Sequence, residues 1–225
     1  MKKENILVIA AHADDETLGC GGTIQKFRKL GHQVYVIVFT DGVSSRKKNI
    51  SKAIKNRSDQ LIKVSKLLDF KIYKRFNFPD NELDKISNLE LTKKIEEAII
   101  TLNPQIILTH SNKDLNVDHQ KISNATITAC RPMPKSKVKQ LLFFEIPSST
   151  EWNFNSNKAN FNPSKFFDIG SFVEKKLKAI KIYKSEIRQY PHPRSLDGIR
   201  TLSKYRGQCI GVKYAEAFEV GYILD

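Results

Sequence analysis

The sequence predicts a single α/β domain, a Rossmann-like three-layer fold with a mostly parallel sheet. Three observations carry this. Short, continuous apolar runs such as NILVIAA (5–11) have the pattern of strands buried on both faces. They alternate with longer segments of helical periodicity, the crossover connections that parallel strands require. At 225 residues the chain fits one hydrophobic core.

The elements follow in order. After 5–11, a helix begins near Glu16 and ends at Leu30-Gly31, with Gly31 as its C-cap. VYVIVFT (34–40) is the second strand, closed by the turn signal Asp41-Gly42. A polar, lysine-rich loop (43–52) leads to a helix over 53–69, where Ile54, Leu61, Val64 and Leu68 recur near helical spacing. KIYKRFNF (71–78) is the third strand, ended by Pro79. A helix over 88–102 breaks at Asn103-Pro104 before QIILTH (105–110). DHQKISNATITAC then starts a helix, and LLFFEI (141–146) gives the fifth strand. Beyond 147 the pattern weakens into an Asn- and Phe-rich loop (152–167), a lysine-laden helix (171–189), YPHPRS and a tail containing YRGQCIGVKYAEAFEV. This last third reads as a flank or lid on a core formed by 1–146.

With 40% hydrophobic and 28% charged residues the chain has the composition of a folded globular protein. Its net charge of +14 would suit a nucleic-acid backbone. The lysines, however, are scattered through KKLKAIKIYK, KFRKLG and SKVKQ as solvated helix faces, and no nucleic-acid-binding motif accompanies them. The charge therefore argues for solubility and not for a specific nucleic-acid partner. The opening apolar run is too short for a signal-peptide core or a membrane span. Cys20, Cys130 and Cys209 are odd in number, widely separated and form no C-x-x-C pair, as expected of reduced thiols in a cytoplasmic protein. No residue argues for or against a homo-oligomer.

In open parallel sheets ligands bind outside the carboxyl ends of the strands, and His12, Asp41 and His110 each fall at such an end. His12 and Asp15 lie three residues apart across a tight strand-to-helix turn, so both side chains can point to one spot while Asp14 projects differently. An imidazole and a carboxylate suit zinc, whose catalytic sites take three protein ligands and keep one position for water. The third ligand is sought in THSNKDLNVDHQ (109–120). One candidate is His119 at a helix start, with Asp118 beside it to orient a ligating histidine. The other is His110, which could instead stabilise an oxyanion or bond to the backbone. Singly, each residue has a plain structural alternative, and Asp14, Asp15 and Glu16 would serve as a helix cap; their convergence at strand ends favours a metal. The glycines of GCGG (19–22) lack the G-x-G-x-x-G spacing and read as permitting close helix-to-strand packing. Arg194 in YPHPRS could meet a phosphate or carboxylate, or stiffen a loop.

Together, AHADDETLGCGGTI, TDG and DLNVDH resemble the LmbE-like, or PIG-L, zinc-dependent N-deacetylases over the first 120 residues, and the C-terminal AEAF is similar to a segment common in that family. The resemblance implies a Rossmann-like fold, a bound zinc ion and removal of an acetyl group from an N-acetylglucosamine-type sugar or glycoconjugate. The family's H-P-D-D motif falls on His12, Ala13, Asp14 and Asp15. It implies that His12, Asp15 and His119 are the ligands and Asp14 the general base, which takes a proton from water and delivers it to the leaving amine. Ala13 replaces the usual proline. Asn116 replaces a histidine that assists charge stabilisation, so Asn116, His110 and His192 are the candidate oxyanion donors. Arg57 in KNRSDQ and Asp80 in FPDNEL resemble by position residues that contact sugar hydroxyls in relatives; a solvated helix arginine and a turn-forming aspartate are the plain alternatives. Rival readings are a catalytically inactive Rossmann-like nucleotide-binding or regulatory domain, a basic nucleic-acid-associated protein, and a zinc hydrolase of another amide or ester.

Overall fold

The computed structural model describes residues 3–46, 50–134, 136–154 and 160–224. Residues 47–49 of the lysine-rich loop and 155–159 of the Asn- and Phe-rich loop thus lie outside the described residues. Strand β1 (Asn5–Ala10) sits near the middle of the sheet, and its alternation fills two cores at once. Ile6 and Val8 face one, Leu7 and Ile9 the other. Helices α1 (Asp15–Lys29) and α2 (Ile50–Leu68) close the first face with Ile24, Phe27, Leu61 and Val64. On the second, α3 (Asn88–Leu102) and α4 (Val117–Ala129) contribute Leu91, Ile95, Ile122 and Ala125. The three layers expected from the apolar runs are present.

Strands β2 (Gln33–Thr40), β3 (Lys71–Phe78), β4 (Ile106–His110) and β5 (Gln140–Phe144) complete the parallel part, in spatial order β3-β2-β1-β4-β5. The chain winds outward from β1 through β2 and β3, then restarts on the other side with β4. A crevice opens where the winding reverses, outside the carboxyl ends of β1 and β4.

The last third does more than flank this core. Strands β6 (Lys165–Asp168) and β7 (Ala215–Ile223) join the same sheet, β7 antiparallel to β5 and β6 antiparallel to β7. Of the helix expected over 171–189, only α5 (Val173–Ile180) forms; turns follow to Ser195, and then α6 (Leu196–Gln208), capped by the Ser195 hydroxyl. Past Ile180 the periodicity continues, but tertiary contacts of Tyr183 and Glu186 with the site take the chain off the helical path.

Two features lock α1 beneath the site. A Cβ on Gly19 would collide with the Phe144 ring of β5, and one on Gly22 would lie 2.7 Å from Ile169, so these glycines do allow close packing. The helix also kinks at Cys20 (φ −144°, ψ 22°). Glu216 of β7 accepts the Gly22 and Thr23 N–H groups (2.9 and 2.6 Å). Lys176 of α5 donates to Glu216 (2.6 Å) and to the Leu18 carbonyl (2.8 Å). Among the described residues no helix is long and apolar enough to cross a membrane.

Candidate metal centre and catalytic cleft

β1 runs straight into Ala11 and His12, and α1 starts three residues on. The turn between them is unusual. Asp14 has φ 143°, a region L-residues rarely enter. Such strain costs on the order of 1–3 kcal/mol and persists only where neighbours hold it. Here Glu16 Oε2 accepts the Asp14 N–H (2.9 Å), and Glu16 Oε1 is held by the hydroxyls of Thr17 (2.6 Å) and Tyr183 (2.8 Å). Asp14 precedes the helix without using its side chain as a cap, which removes the plain capping explanation for that carboxylate.

The turn aims His12 and Asp15 at one point, and α4 brings His119 to meet them. His12 Nδ1 lies 3.2 Å from Asp15 Oδ2 and 3.1 Å from His119 Nε2, and the third edge of the triangle is 3.4 Å. A tetrahedral zinc ion bound at about 2.1 Å has ligand atoms about 3.4 Å apart, so the three atoms fit a single divalent cation. The donor chemistry agrees: Asp15 Oδ1 is buried without a partner, and two imidazoles with one carboxylate is a catalytic ligand set.

Carboxylates orient both histidines from behind. His12 Nε2 lies 3.0 Å from Asp118 Oδ2 and 3.1 Å from Asp80 Oδ1, which leaves Nδ1 free to ligate. Asp118 also accepts the N–H groups of Asn81 (2.8 Å) and Leu83 (3.0 Å). Because its oxygens are thus engaged, His12, Asp80 and Asp118 read as an orienting cluster and not as a second ion site. Asp118, expected to support the ligand next to it, supports His12 instead. The carboxylate behind His119 is Asp114, 3.1 Å from Nδ1 though poorly aligned for a hydrogen bond. Asp114 is fixed by Thr150 (2.7 Å), the Asn116 N–H (2.8 Å) and the Ser149 hydroxyl.

These contacts set the charges. Burial would lower the pKa of His119, but Asp114 and Asp15 raise it to about 9. Burial would likewise lower that of His12, yet Asp15, Asp118 and Asp80 raise it well above the usual value. For Asp15 burial acts upward and the three surrounding histidines prevail, holding it well below the carboxylate range. The site therefore favours protonation of the His12–His119 pair beside the Asp15 carboxylate, whereas burial and the neighbouring His119 push His110 well below its usual value. Since the folded-state pKa of His119 is raised, its contribution to metal-free stability is complete below about 6.5 and is lost as pH rises through about 9. Metal must displace that proton. Zinc affinity is expected to weaken by about tenfold or more per unit as pH falls below 9, with at least one proton released per ion; calorimetric titration in buffers of different ionisation enthalpy measures it.

The triangle opens into a cleft of about 430 Å³ whose lining includes His12, Asp14, Asp80, Asn116, Glu186 and Arg194. Asp14 lies beside the ligands in this cleft, its carboxyl pKa pushed up to about 6 by burial and by Asp15, against the pull of Arg57 (3.7 Å) and Arg194 (3.4 Å). Arg57 is no solvated helix residue: it is buried, donates to the Ala13 carbonyl (2.7 Å), pairs with Glu186 and lies 5.7 Å from the centre of the Tyr183 ring. Asp80 likewise does more than form a turn, with Oδ1 against His12 and Oδ2 accepting from Ser45.

The expected oxyanion donors separate. His110 is buried outside the cleft lining, stacked on His119 at 4.0 Å, and its Nε2 accepts the Ala11 N–H (3.0 Å). That nitrogen serves as a backbone acceptor, and the ring packs on His119 and Phe144 away from the cleft lining. His192 accepts the Arg194 N–H through Nδ1 (3.0 Å), packs against Trp152 and is not part of the cleft lining. Asn116 does line the cleft: its Oδ1 caps α4 at Asp118 and His119, and its Nδ2 donates to Asn81 Oδ1 (3.1 Å). Asp114, Glu186 and Tyr183 were not singled out in the sequence. Asp114 stood inside the DLNVDH stretch, whereas Tyr183 and Glu186 lay in a segment that read as a lysine-rich helix face.

Tyr183→Phe removes the hydroxyl that holds Glu16 while keeping the ring beside Arg57. Stability is expected to fall by about 1–2 kcal/mol, and kcat to drop with KM and metal content unchanged, read from urea unfolding and steady-state kinetics.

Fold and site define a doubly wound α/β scaffold with a two-histidine, one-carboxylate cluster suited to a divalent metal at the reversal of its winding. The chain belongs to the PIG-L family: the family model described as GlcNAc-PI de-N-acetylase matches residues 7–130, more than half of the chain. It is similar to the uncharacterized deacetylase YaiS of Escherichia coli K12, 28% identical over 192 residues, covering 82% of this chain and 92% of that one. It is also similar to the diacetylchitobiose deacetylase of Thermococcus kodakarensis, 26% identical over 223 residues, covering 95% of this chain and 81% of the relative. Its fold matches that of N,N′-diacetylchitobiose deacetylase from Pyrococcus horikoshii with a TM-score of 0.78 at 22% identity, over 96% of this chain and 83% of that one. The chain is thus a hydrolytic N-deacetylase, and the rival reading of an inactive nucleotide-binding domain is not favoured.

Proposed function

We propose that the chain removes the acetyl group from an N-acetylglucosamine-type sugar by zinc-dependent hydrolysis, with His12, Asp15 and His119 as the ligands and Asp14 as general base and acid. One observation carries this reading: three ligand atoms within 3.4 Å of one another border a cleft that also contains a carboxylate, Asp14, not used to cap its helix. When bound, the ion supplies Lewis-acid polarisation of the amide carbonyl and acidifies water.

The chain's own residues do the rest. Asp14, with a pKa of about 6 in the metal-free protein, is basic enough to take a proton from water and acidic enough to return it to the departing nitrogen, which leaves poorly unless protonated. Arg57 and Arg194 flank this carboxylate and favour its ionised form; Arg57, anchored on Ala13 O and Glu186, acts as a positioning residue. Asn116 Nδ2 is the neutral donor on the cleft wall that serves the developing oxyanion. Such a donor is commonly worth about 3 kcal/mol. Asp80 and Arg194 meet the sugar hydroxyls, and His110 holds the imidazole of His119 in plane by stacking. A cytoplasmic location accords with three free thiols.

The test is amine release from a panel of N-acetylated monosaccharides, disaccharides and nucleotide sugars, with metal content measured on the same sample. Release from N-acetylglucosamine compounds in proportion to bound zinc supports the proposal. Turnover of other amides or esters alone would overturn it.

A further inference from the structure

We propose that Lys176 and Glu216, buried at the break in α1, are positioning residues: they fix the first turn of that helix and, through it, the strained backbone of Asp14. This rests on the reading of Asp14 as general base above. Cys20 leaves the helical path (φ −144°, ψ 22°), so α1 is two segments, and the turn carrying Asp15 and Glu16 is not kept in line by the rest of the helix. The rung that spans the break would join the Gly22 N–H to the Leu18 carbonyl. Glu216 Oε1 takes that donor (2.9 Å), Lys176 Nζ takes that acceptor (2.8 Å), and the two side chains meet at 2.6 Å. Glu216 Oε2 also accepts the Thr23 N–H (2.6 Å). An ion pair thus stands in the gap.

Leu18 passes this constraint to the site. Its carbonyl is the one Lys176 holds, and its N–H donates to the Asp14 carbonyl (2.8 Å) beside the Thr17 N–H (3.0 Å). Two further grips on the same turn come from the same stretch of chain: Tyr183 donates to Glu16 (2.8 Å), and Glu186 pairs with Arg57, which donates to the Ala13 carbonyl (2.7 Å). Residues 176–186 therefore hold the turn at Ala13, Glu16 and Leu18, on either side of Asp14 and Asp15. Stability alone does not account for the pair. Lys176 is 3% exposed and Glu216 5%, and desolvating both charges offsets much of their attraction, so buried pairs replaced by apolar groups are often no less stable. What the two charges supply is a grip on one backbone donor and one backbone acceptor at a fixed separation. The base needs that geometry, since a misplacement of about 1 Å caused far from the reacting groups can cost about 100-fold in rate.

The test is the double variant Lys176→Met/Glu216→Gln, which removes both charges together and leaves no uncompensated ion inside. Two changes are expected. At saturating zinc, kcat on N-acetylglucosamine compounds falls about 10–100-fold per bound ion with KM unchanged. In the zinc-free protein, amide hydrogen exchange at 14–18 becomes about tenfold faster while β1 and β4 keep wild-type protection. Should the double variant not fold, Glu216→Asp, which keeps the charge and retracts the carboxylate by one methylene, carries the same two readouts; failure of both to fold would make the pair structural and overturn the proposal. Wild-type kcat per bound zinc, or an acceleration of exchange shared equally by β1 and β4, would overturn it too. If the wild-type protein hydrolyses none of the sugars but exchange at 14–18 still accelerates in the variant, the deacetylase reading fails and the positioning of the turn stands. Unchanged exchange at 14–18 removes the positioning role by itself.

Discussion

Asp14→Asn is expected to retain its metal and lose turnover by about a thousandfold, within the range for a positioned general base. Two features separate this from a structural effect. The ligand triangle does not include Asp14, so metal content, read by elemental analysis, should match wild type. The side chain makes no capping bond, and the main-chain contacts of the strained turn, Asp14 N–H to Glu16 and Asp14 O to the N–H groups of Thr17 and Leu18, survive an isosteric amide. The variant should also sit at least as stably as wild type in the metal-free state at neutral pH. Burial raises the carboxyl pKa from 3.8 to about 6, so ionising it works against the fold as pH rises through that interval, and an amide has no charge to bury. Wild-type turnover in Asp14→Asn would remove this residue as the base.

His119→Ala should abolish activity by a different route, lowering zinc affinity by more than about 100-fold, the upper range for loss of an outer partner. Asp114→Asn, which neutralises the carboxylate behind His119 (3.1 Å) and leaves the Ser149 or Thr150 hydroxyl with a poorer acceptor, should cost about 10–100-fold, and His110→Ala should keep the metal. Competition titration with a chromophoric chelator ranks the three. A His110→Ala protein that loses zinc while His119→Ala keeps it would exchange their roles.

How much of this was legible in the sequence follows from where the information is local. Strands buried on both faces announce themselves as apolar runs, and β3 and α3 begin and end where their periodicity does. The site was legible to the same degree, since His12, Asp15 and His119 sit at strand and helix ends that the parallel topology must gather. Residues held by contacts between distant segments were not. Tyr183 and Glu186 keep helical spacing, yet their partners Glu16 and Arg57 lie more than a hundred residues away. Asp118 and His119 are adjacent in sequence, but on a helix neighbouring side chains diverge, so Asp118 turns to His12 and the carboxylate behind His119 is Asp114. β6 and β7 escaped notice because half-buried strands at the antiparallel edge carry less apolar signal than central ones.

The most direct test of the central claim is an anomalous difference map at the zinc edge from crystals of the protein loaded with one equivalent of zinc. The account requires a single peak within bonding distance of His12 Nδ1, Asp15 Oδ2 and His119 Nε2, facing the cleft beside Asp14. A peak elsewhere, or His119 turned away from the ion, would contradict it.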